Sequence, residues 1–304
     1  MKKDLLAIQD LSTEEILGIL DLAADIKADR ASYADSLKGK SIGLIFQKPS
    51  NRTRVSFEIG MYQMGGHSIY LGSSEIGMGG RESVKDVACV LSRYLNGIIA
   101  RTYKHEVVEE LAKYASIPII NGLSDRAHPC QALGDMFTIR ERFKEFKGLT
   151  LAYIGDGNNV LNSLMIAAAK LGINVKVATP KNYEPDMAMT KLAKKIAAKS
   201  GSTVTVSNNP DSAAKDSDVL YTDVWVSMGQ EKEAVKRVNA FKDFQIDDDL
   251  VKAAKTMCVV MHCLPAHRGQ EITDSVMDSN HSIVYDQAEN RMHVQKAILL
   301  KLLK

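Results

Sequence analysis

One short segment of the chain concentrates side chains that bind anions, Ser50-Asn51-Arg52-Thr53-Arg54. It follows a β-branched run and opens a predicted helix. A helix N-terminus presents unpaired backbone N–H groups and the positive end of the helix dipole, so it favours anions. Arginine guanidinium groups add paired hydrogen bonds that orient a phosphate or a carboxylate. The segment therefore predicts a small anion site, with a serine-capped helix bearing two solvated arginines as the alternative interpretation.

Two further positions place hydrogen-bond donors next to predicted strands and helices. Arg101 ends the predicted strand 97–101, and open α/β sheets bind ligands at the carboxyl edge of their strands. His128 and Gln131 flank Pro129, which favours the first position of a helix, so both side chains could donate to one oxygen. The dipole disfavours an imidazolium there, which predicts a neutral His128. Taken singly, Arg101 is better explained as an arginine that leaves its strand to reach solvent. A capping histidine beside a buried cysteine explains His128 as well as a ligand site does.

The second half of the chain carries three polar segments at predicted strand ends. The turn 155–159, GDGNN, lacks the third glycine and the later acidic residue of a dinucleotide fingerprint, which disfavours a nicotinamide-dependent dehydrogenase. Asp223 opens the segment DVWVSMG and is a natural partner for an ammonium group, or else a helix cap. Cys263 lies in HCLP beside an imidazole, where it is either a tuned thiol or simply a buried one.

The composition excludes several classes of protein. Lys and Arg number 39 against 37 Asp and Glu, which gives a formal net charge of +2. The sequence has no stripe of basic residues of the kind that binds nucleic acids. No apolar stretch approaches the roughly 20 residues that span a bilayer, and the N-terminal apolar run is too short for a signal peptide. The four cysteines lack metal-ligand spacing, and free thiols indicate a reducing compartment, so we expect a cytoplasmic protein without metal, cofactor, nucleic-acid or membrane partner.

Short β-branched runs alternate with longer amphipathic runs, which is typical of α/β proteins with parallel sheets. The predicted strands are 41–47, 67–71, 97–101, 117–121, 150–155, 174–178, 203–206, 219–222 and 257–263. The predicted helices are a first one capped by Ser12, then 52–64, 82–94, 105–115, 129–146, 159–171, 185–200, 232–242 and 288–303. This order predicts two doubly wound parallel-sheet domains with helices on both faces, 1–147 and 148–304. We expect the last helix, about 288–304, to return to the first domain.

Each segment is ambiguous alone, but their order resembles the aspartate/ornithine carbamoyltransferase family from about residue 4 to the C-terminus. SxRTR at 50–54 and HPxQ at 128–131 look like the carbamoyl-phosphate signature shared by that family. DxWxSMG at 223–229 and HCLP at 262–265 look like its ornithine branch. The combination is far more specific than any one of its parts.

The resemblance implies transfer of the carbamoyl group of carbamoyl phosphate to the side-chain amine of L-ornithine, giving L-citrulline and phosphate, in arginine biosynthesis or catabolism. It assigns carbamoyl phosphate to Ser50, Asn51, Arg52, Thr53, Arg54, Arg101, His128, Gln131 and Arg291. It assigns ornithine to Asn159, Asp223, Ser227, Met228, Cys263 and Leu264. It gives catalytic roles to Arg101, His128, Asp223 and Cys263. It implies no cofactor and a homotrimer with active sites between subunits, and it leaves room for a higher assembly.

The chemistry of these side chains agrees with that assignment. Attack by a neutral amine builds negative charge on the carbamoyl oxygen, and Arg101, His128 and Thr53 are suitable donors to it. The amine must also lose a proton, for which Asp223 and Cys263 are both candidates.

Two positions depart from the family pattern. Asn51 replaces the usual threonine, and Gly77 stands where the ornithine branch carries a glutamine in a loop that reaches a neighbouring subunit. Arg81 or Lys85 could substitute for that glutamine. Aspartate, putrescine or N-acetylornithine as acceptor, and a non-catalytic paralogue that binds a ligand, remain the rival interpretations.

Overall fold

The computed structural model describes residues 3–227 and 229–304, apart from the side chain of Ser74. Two compact units divide the chain. The first runs to Phe137 and includes Glu289–Lys304, and the second is Thr138–Ala288. The sequence predicts the division at 147/148, whereas the packing divides the chain at 137/138, inside a helix.

The first unit is built on a parallel sheet of four strands in the order β2-β1-β3-β4. The strands are β1 (Ser41–Phe46), β2 (His67–Gly72), β3 (Gly97–Arg101) and β4 (Ile119–Leu123). The helices are α1 (Thr13–Ala28), α2 (Asn51–Tyr62), α3 (Ser73–Ile76), α4 (Val84–Tyr94), α5 (His105–Tyr114) and α6 (Pro129–Phe143). β3 is buried along its whole length because it lies between two other strands and under helices. Its Ile98 and Ala100 side chains, with Ile45, Val108 and Leu111, form part of the core of this unit.

The second unit has a parallel sheet of five strands in the order β7-β6-β5-β8-β9. The strands are β5 (Thr150–Ile154), β6 (Asn174–Ala178), β7 (Val204–Ser207), β8 (Val219–Thr222) and β9 (Val259–His262). The helices are α7 (Asn159–Lys170), α8 (Met187–Ser200), α9 (Pro210–Ala214), α10 (Ala234–Phe241), α11 (Asp248–Ala253) and α12 (Asp274–Met277). The last helix of the chain, α13 (Val284–Leu303), begins in this unit and ends in the first.

Local sequence explains where these helices begin. Ser12 caps α1 through a reciprocal pair of bonds with Glu15, as its Ser-x-x-Glu spacing predicts. The return of the last helix to the first unit is confirmed by bonds from Lys27 to Asn290 and from Lys296 to Gln63. The fold class is therefore as predicted, although α13 begins at Val284 rather than near residue 288.

Each sheet has one topological switch point, where the chain moves to the other side of its first strand. In the first unit it lies between β1 and β3, and in the second between β5 and β8. Loops that leave two such neighbouring strands in opposite directions open a crevice at the carboxyl edge. The two switch points are therefore where ligand sites are expected.

Among the described residues, no helix combines the length and the apolar character that crossing a membrane requires.

Candidate active site

The anion-binding segment leaves β1 at the first switch point and starts α2. Ser50 is the N-cap, and its hydroxyl accepts the backbone N–H of Thr53 at 3.3 Å. This bond satisfies one of the unpaired donors at the start of the helix and fixes the direction in which the others point. The segment thus presents backbone N–H groups at the sheet edge, as predicted.

The C-terminal helix delivers Arg291 to this segment. Arg291 is buried, and its Nη2 donates to the Thr53 hydroxyl at 3.0 Å. A Cβ at Gly134 of α6 would lie 3.0 Å from the Arg291 Cγ and 3.4 Å from its Cα. Glycine at that position therefore permits α13 to approach α6 closely enough for Arg291 to reach the segment.

Arg101 and Arg291 form a buried cationic cluster, and the neutral His128 lies beside it. Arg101 ends β3 in register with Phe46 of β1, and the arginine is 6% exposed. His128 precedes α6 and is also buried. Burial, and then the nearby Arg291 and Arg101 guanidinium groups, hold the pKa of His128 well below its ordinary value. The lowered pKa agrees with the neutral His128 expected from the sequence, and its largest cause is burial.

The depressed pKa of His128 predicts how stability depends on pH. The folded state favours the neutral ring, so this contribution is complete above the unfolded pKa near 6.5 and is lost as the pH falls below it. We expect the difference in unfolding free energy between the wild type and His128→Gln to shrink below pH 6.5, by at most about 1.4 kcal/mol per pH unit. Urea unfolding of both proteins from pH 5 to pH 8 measures it. His105 and His293 also have lowered pKa values, but they are common to both proteins and cancel. A difference that stays constant over this range would contradict the prediction.

Not every residue of the predicted anion segment faces the cluster. The Arg54 Nε donates to Glu58 at 2.9 Å, and the guanidinium lies 3.8 Å from the centre of the Tyr70 ring. Its side chain is 44% exposed. Arg52 is half-buried and Asn51 is exposed. Thr53, through its bond to Arg291, connects this segment to another residue of the predicted site.

The loop that departs from the family pattern has its own internal support. Gly77 has φ +59°, and a Cβ there would lie 2.9 Å from the Arg81 Cβ and 3.3 Å from its Nε. Arg81 in turn donates to the Glu75 carbonyl at 2.7 Å. Arg81 therefore occupies the space beside Gly77, whereas Lys85 lies over the Tyr114 ring. Of the two suggested substitutes, Arg81 is the one that lies next to the missing side chain.

The second switch point joins a carboxylate and a thiol. The Cys263 thiol donates to Asp223 Oδ1 at 3.0 Å. Asn158 caps α7 with its side-chain oxygen, and its Nδ2 donates to Asp223 Oδ2 at 2.7 Å. The Val224 N–H also donates to Asp223 Oδ1, at 2.8 Å. The sequence predicts Asn159 at this site, but Asn158 is the residue that holds Asp223, while Asn159 is half-buried at the start of α7.

A buried pair behind Cys263 fixes the backbone of the HCLP segment. The Leu264 N–H donates to His262 Nδ1 at 2.8 Å, so the ring hydrogen lies on Nε2. That Nε2 donates to Glu271 Oε1 at 3.0 Å, and both side chains are fully buried. Leu264 has φ +59°, a conformation that this pair of bonds holds in place. The sequence pointed to Cys263 and Leu264 but gave no signal for Glu271.

The segment after Asp223 is held by a second residue that the sequence did not identify. Arg237 of α10 donates from Nε to the Trp225 carbonyl at 2.6 Å and pairs with Asp156 at 2.5 Å. Burial raises the pKa of Asp156 to about 6, although Arg237 opposes the shift. Among the predicted ornithine residues, Ser227 donates its N–H to Gln230 at 3.1 Å, and Met228 lies outside the described residues. Asp156 stands in the conspicuous GDGNN turn, whereas Arg237 belongs to no motif.

The same turn shows why a dinucleotide does not fit. A Cβ at Gly157 would overlap the backbone of Glu184 and Pro185, and the Gly157 N–H donates to the Tyr183 carbonyl at 3.0 Å. The second glycine therefore admits a neighbouring loop of the protein. In a dinucleotide site that glycine would instead admit a pyrophosphate.

Within the described residues, one group has the composition of a metal site: the ligand atoms of Asp223, His262 and Cys263 lie within 4.8 Å of one another. Both ring nitrogens of His262 and both carboxylate oxygens of Asp223 already take part in hydrogen bonds to the protein. A metal ion would have to break some of these bonds, so the arrangement fits a hydrogen-bonded cluster better than a metal centre.

Comparison with known families matches both halves of the chain. The model described as "Aspartate/ornithine carbamoyltransferase, carbamoyl-P binding domain" matches residues 3–141. The model described as "Aspartate/ornithine carbamoyltransferase, Asp/Orn binding domain" matches residues 147–302.

Individual relatives match over nearly the whole chain. An ornithine carbamoyltransferase of Pyrococcus horikoshii is 53% identical over 303 residues, 99% of this chain and 96% of the relative. One of Methanosarcina acetivorans is 51% identical over 306 residues, covering all of both chains. The solved ornithine carbamoyltransferase of Pyrococcus furiosus superposes with a TM-score of 0.95 at 53% identity, covering 97% of this chain and 95% of that one.

Proposed function

We propose that this chain, which belongs to the aspartate/ornithine carbamoyltransferase family, transfers the carbamoyl group of carbamoyl phosphate to the side-chain amine of L-ornithine. The products are L-citrulline and phosphate. The observation that carries the choice of acceptor is the buried Asp223 carboxylate bonded to the Cys263 thiol at the second switch point. A fixed carboxylate at a ligand site favours ornithine, which carries a second amine, over aspartate, whose second carboxylate it would repel.

The first unit would bind carbamoyl phosphate. The N-terminus of α2 and its arginines suit the phosphate, which leaves with more negative charge than it carries in the substrate. Thr53, Arg101 and the neutral His128 would donate to the carbamoyl oxygen, where charge develops as the amine attacks. Arg291, bonded to Thr53, would add a further positive charge beside the same oxygen.

The second unit would bind ornithine. Asp223 accepts from three protein donors, and its carboxylate would suit an ammonium group of the substrate. Asn159, Ser227 and Met228 would complete the contacts with the amino-acid end, and Cys263 with the Leu264 backbone would lie beside the reacting amine. That amine attacks as the free base, so its proton must leave to Cys263, to Asp223 or to water. No metal or organic cofactor takes part in this chemistry.

The experiment that tests this function is release of citrulline by the purified protein from carbamoyl phosphate and L-ornithine. Putrescine, aspartate and N-acetylornithine run in parallel as acceptors. We expect product with ornithine alone. Product with another amine only would keep the carbamoyl-phosphate half of the proposal and discard the acceptor half. No product with any of them would favour the non-catalytic paralogue.

A homotrimer is part of the proposal. Its support in the described structure is an apolar strip that reaches solvent on α2 and the edge strand β2. Val55, Ile59 and Tyr62 lie on one side of the helix, and Tyr62 is 78% exposed. Ile69 of β2 is also exposed. An exposed apolar strip beside an open sheet edge fits contact with another copy of the chain.

We propose that the protein works in the cytoplasm, in the biosynthetic direction. The four cysteines form no disulfide, which fits a reducing cytoplasm. One relative, from Pyrococcus furiosus and 53% identical over 299 residues, is named an anabolic ornithine carbamoyltransferase. That name supports the biosynthetic direction for this chain.

A further inference from the structure

We propose that Asp135 is a positioning residue that makes the enzyme select a carbamoyl group over an acyl group of the same shape. It does so by fixing the direction of the Gln131 side-chain amide. The inference rests on the proposed function, since it concerns the first substrate of that reaction. It assigns a role to a residue that no motif of the sequence pointed to.

The two residues form one buried hydrogen bond on α6. They are four positions apart, so their side chains lie one above the other on the same face of the helix. The Gln131 Nε2 donates to Asp135 Oδ1 at 2.8 Å. Gln131 is 1% exposed and Asp135 is 0% exposed. Solvent therefore cannot replace either partner.

The chemistry of the pair leaves the amide one direction. The Asp135 carboxylate oxygen accepts this hydrogen bond, so Gln131 turns its NH₂ group towards Asp135. The amide oxygen, Oε1, is then directed to the other side. Over the described residues this oxygen is buried and has no hydrogen-bond partner. A buried acceptor without a donor is costly, which indicates that a ligand supplies the donor.

The position of Gln131 identifies the ligand atom. Its backbone N–H donates to the carbonyl of His128, at the N-terminus of α6 and next to the cationic cluster. Carbamoyl phosphate carries many acceptor oxygens but one donor group, the NH₂ of its carbamoyl end. An oxygen at Oε1 can therefore bond to that NH₂ and to no other part of the substrate. An acetyl group, with a methyl in place of NH₂, leaves Oε1 unpaired, and such a site rejects the analogue.

Two phosphonates that differ only at this position provide the test. Phosphonoacetamide carries the NH₂ group, and acetonylphosphonate carries a methyl there. Titration calorimetry without ornithine gives the affinity of the full-length protein for each. We expect the wild type to prefer the amide by at least about tenfold. Asp135→Asn should reduce this preference about fivefold, because asparagine can offer Gln131 either a donor or an acceptor and no longer fixes its direction.

A reciprocal exchange separates positioning from a merely structural role. In the double variant Gln131→Glu with Asp135→Asn, the glutamate introduced at position 131 can only accept, so the asparagine introduced at position 135 must turn its NH₂ group towards it. The second glutamate oxygen then takes the place of Oε1. We expect both phosphonates to bind more weakly, because a negative charge has moved closer to them, while the preference for the amide returns. Asp249→Asn, at a surface position 87% exposed, is the control and should leave the preference unchanged.

The binding measurements can contradict the role proposed for Asp135 in several ways. A wild type without preference, or a preference that Asp135→Asn leaves within twofold of the wild type, would overturn the inference while leaving the proposed function intact. Failure of the folded double variant to regain the preference would reduce Asp135 to a structural role. If Asp135→Asn does not fold, the double variant alone must show the preference. If neither phosphonate binds the wild type and no citrulline forms, the proposed function and this inference are both wrong.

Discussion

Arg101→Met is expected to lower turnover with carbamoyl phosphate and ornithine by about a thousandfold. Arg101 is a buried donor at the end of β3, aligned with the strand that leads into the anion segment. Loss of one donor to a developing oxyanion typically costs about a hundredfold to a thousandfold in kcat. Arg101 also carries a full charge in a site shielded from water, which puts the expected effect at the upper end. Initial rates of citrulline release at saturating substrates measure it.

The pattern of kinetic constants distinguishes this role from a general weakening of the site. We expect kcat to fall far more than the affinity for phosphonoacetamide, because the anion segment still holds the phosphonate. Methionine keeps much of the length and apolar stem of arginine, so the thermal unfolding midpoint serves as the control for folding. Near-normal turnover by a folded Arg101→Met would remove Arg101 from the mechanism.

The sequence predicted the parts of the site that depend on strand ends. In a parallel sheet all strands end at the same edge. Hydrophobic pattern alone could therefore place Arg101 at that edge of the first sheet, and Asp223 and Cys263 at that edge of the second. The strand order then brings the ends of β5 and β8 together, and with them Asn158 and Asp223. The same reasoning placed Ser50 as the cap of α2, because a capping residue acts within its own segment.

The residues that support the site could not be predicted from the sequence, for a physical reason. Glu271 and Arg237 act through contacts with segments distant in the chain, and a single sequence carries no record of which distant residues meet. The sequence pattern also did not predict four short helices, α3, α9, α11 and α12. Each has only one or two turns, which is too short for a helical period to be recognised. Asp135 lay inside a predicted helix, but only its burial beside Gln131 gives it significance.

Asp223→Asn is expected to lower kcat/KM for ornithine by at least about a hundredfold. Asp223 accepts from the Asn158 amide, the Val224 N–H and the Cys263 thiol, using both carboxylate oxygens. Asparagine has one acceptor oxygen, so one of its two possible directions places NH₂ against Asn158 and the other places it against Val224 and Cys263. The substitution therefore removes the charge suited to an ammonium group and also turns a donor against a donor. Together these changes exceed the loss of a single charge-assisted bond, which is worth about 1.5–3 kcal/mol.

Carbamoyl-phosphate binding is the internal control for this prediction, because the residues proposed to bind that substrate belong to the first unit and Asp223 to the second. Phosphonoacetamide should bind Asp223→Asn as tightly as it binds the wild type. Cys263→Ser offers a graded comparison, since a hydroxyl can still donate to Asp223, and we expect it to retain much more activity than Cys263→Ala. If Asp223→Asn kept its KM for ornithine while both cysteine variants lost turnover, the anion for the acceptor would have to be sought elsewhere.

The dependence of kcat on pH in Cys263→Ser then distinguishes the two candidates for the amine proton. An unchanged profile assigns the proton to Asp223 or water, and a shifted one assigns it to the thiol.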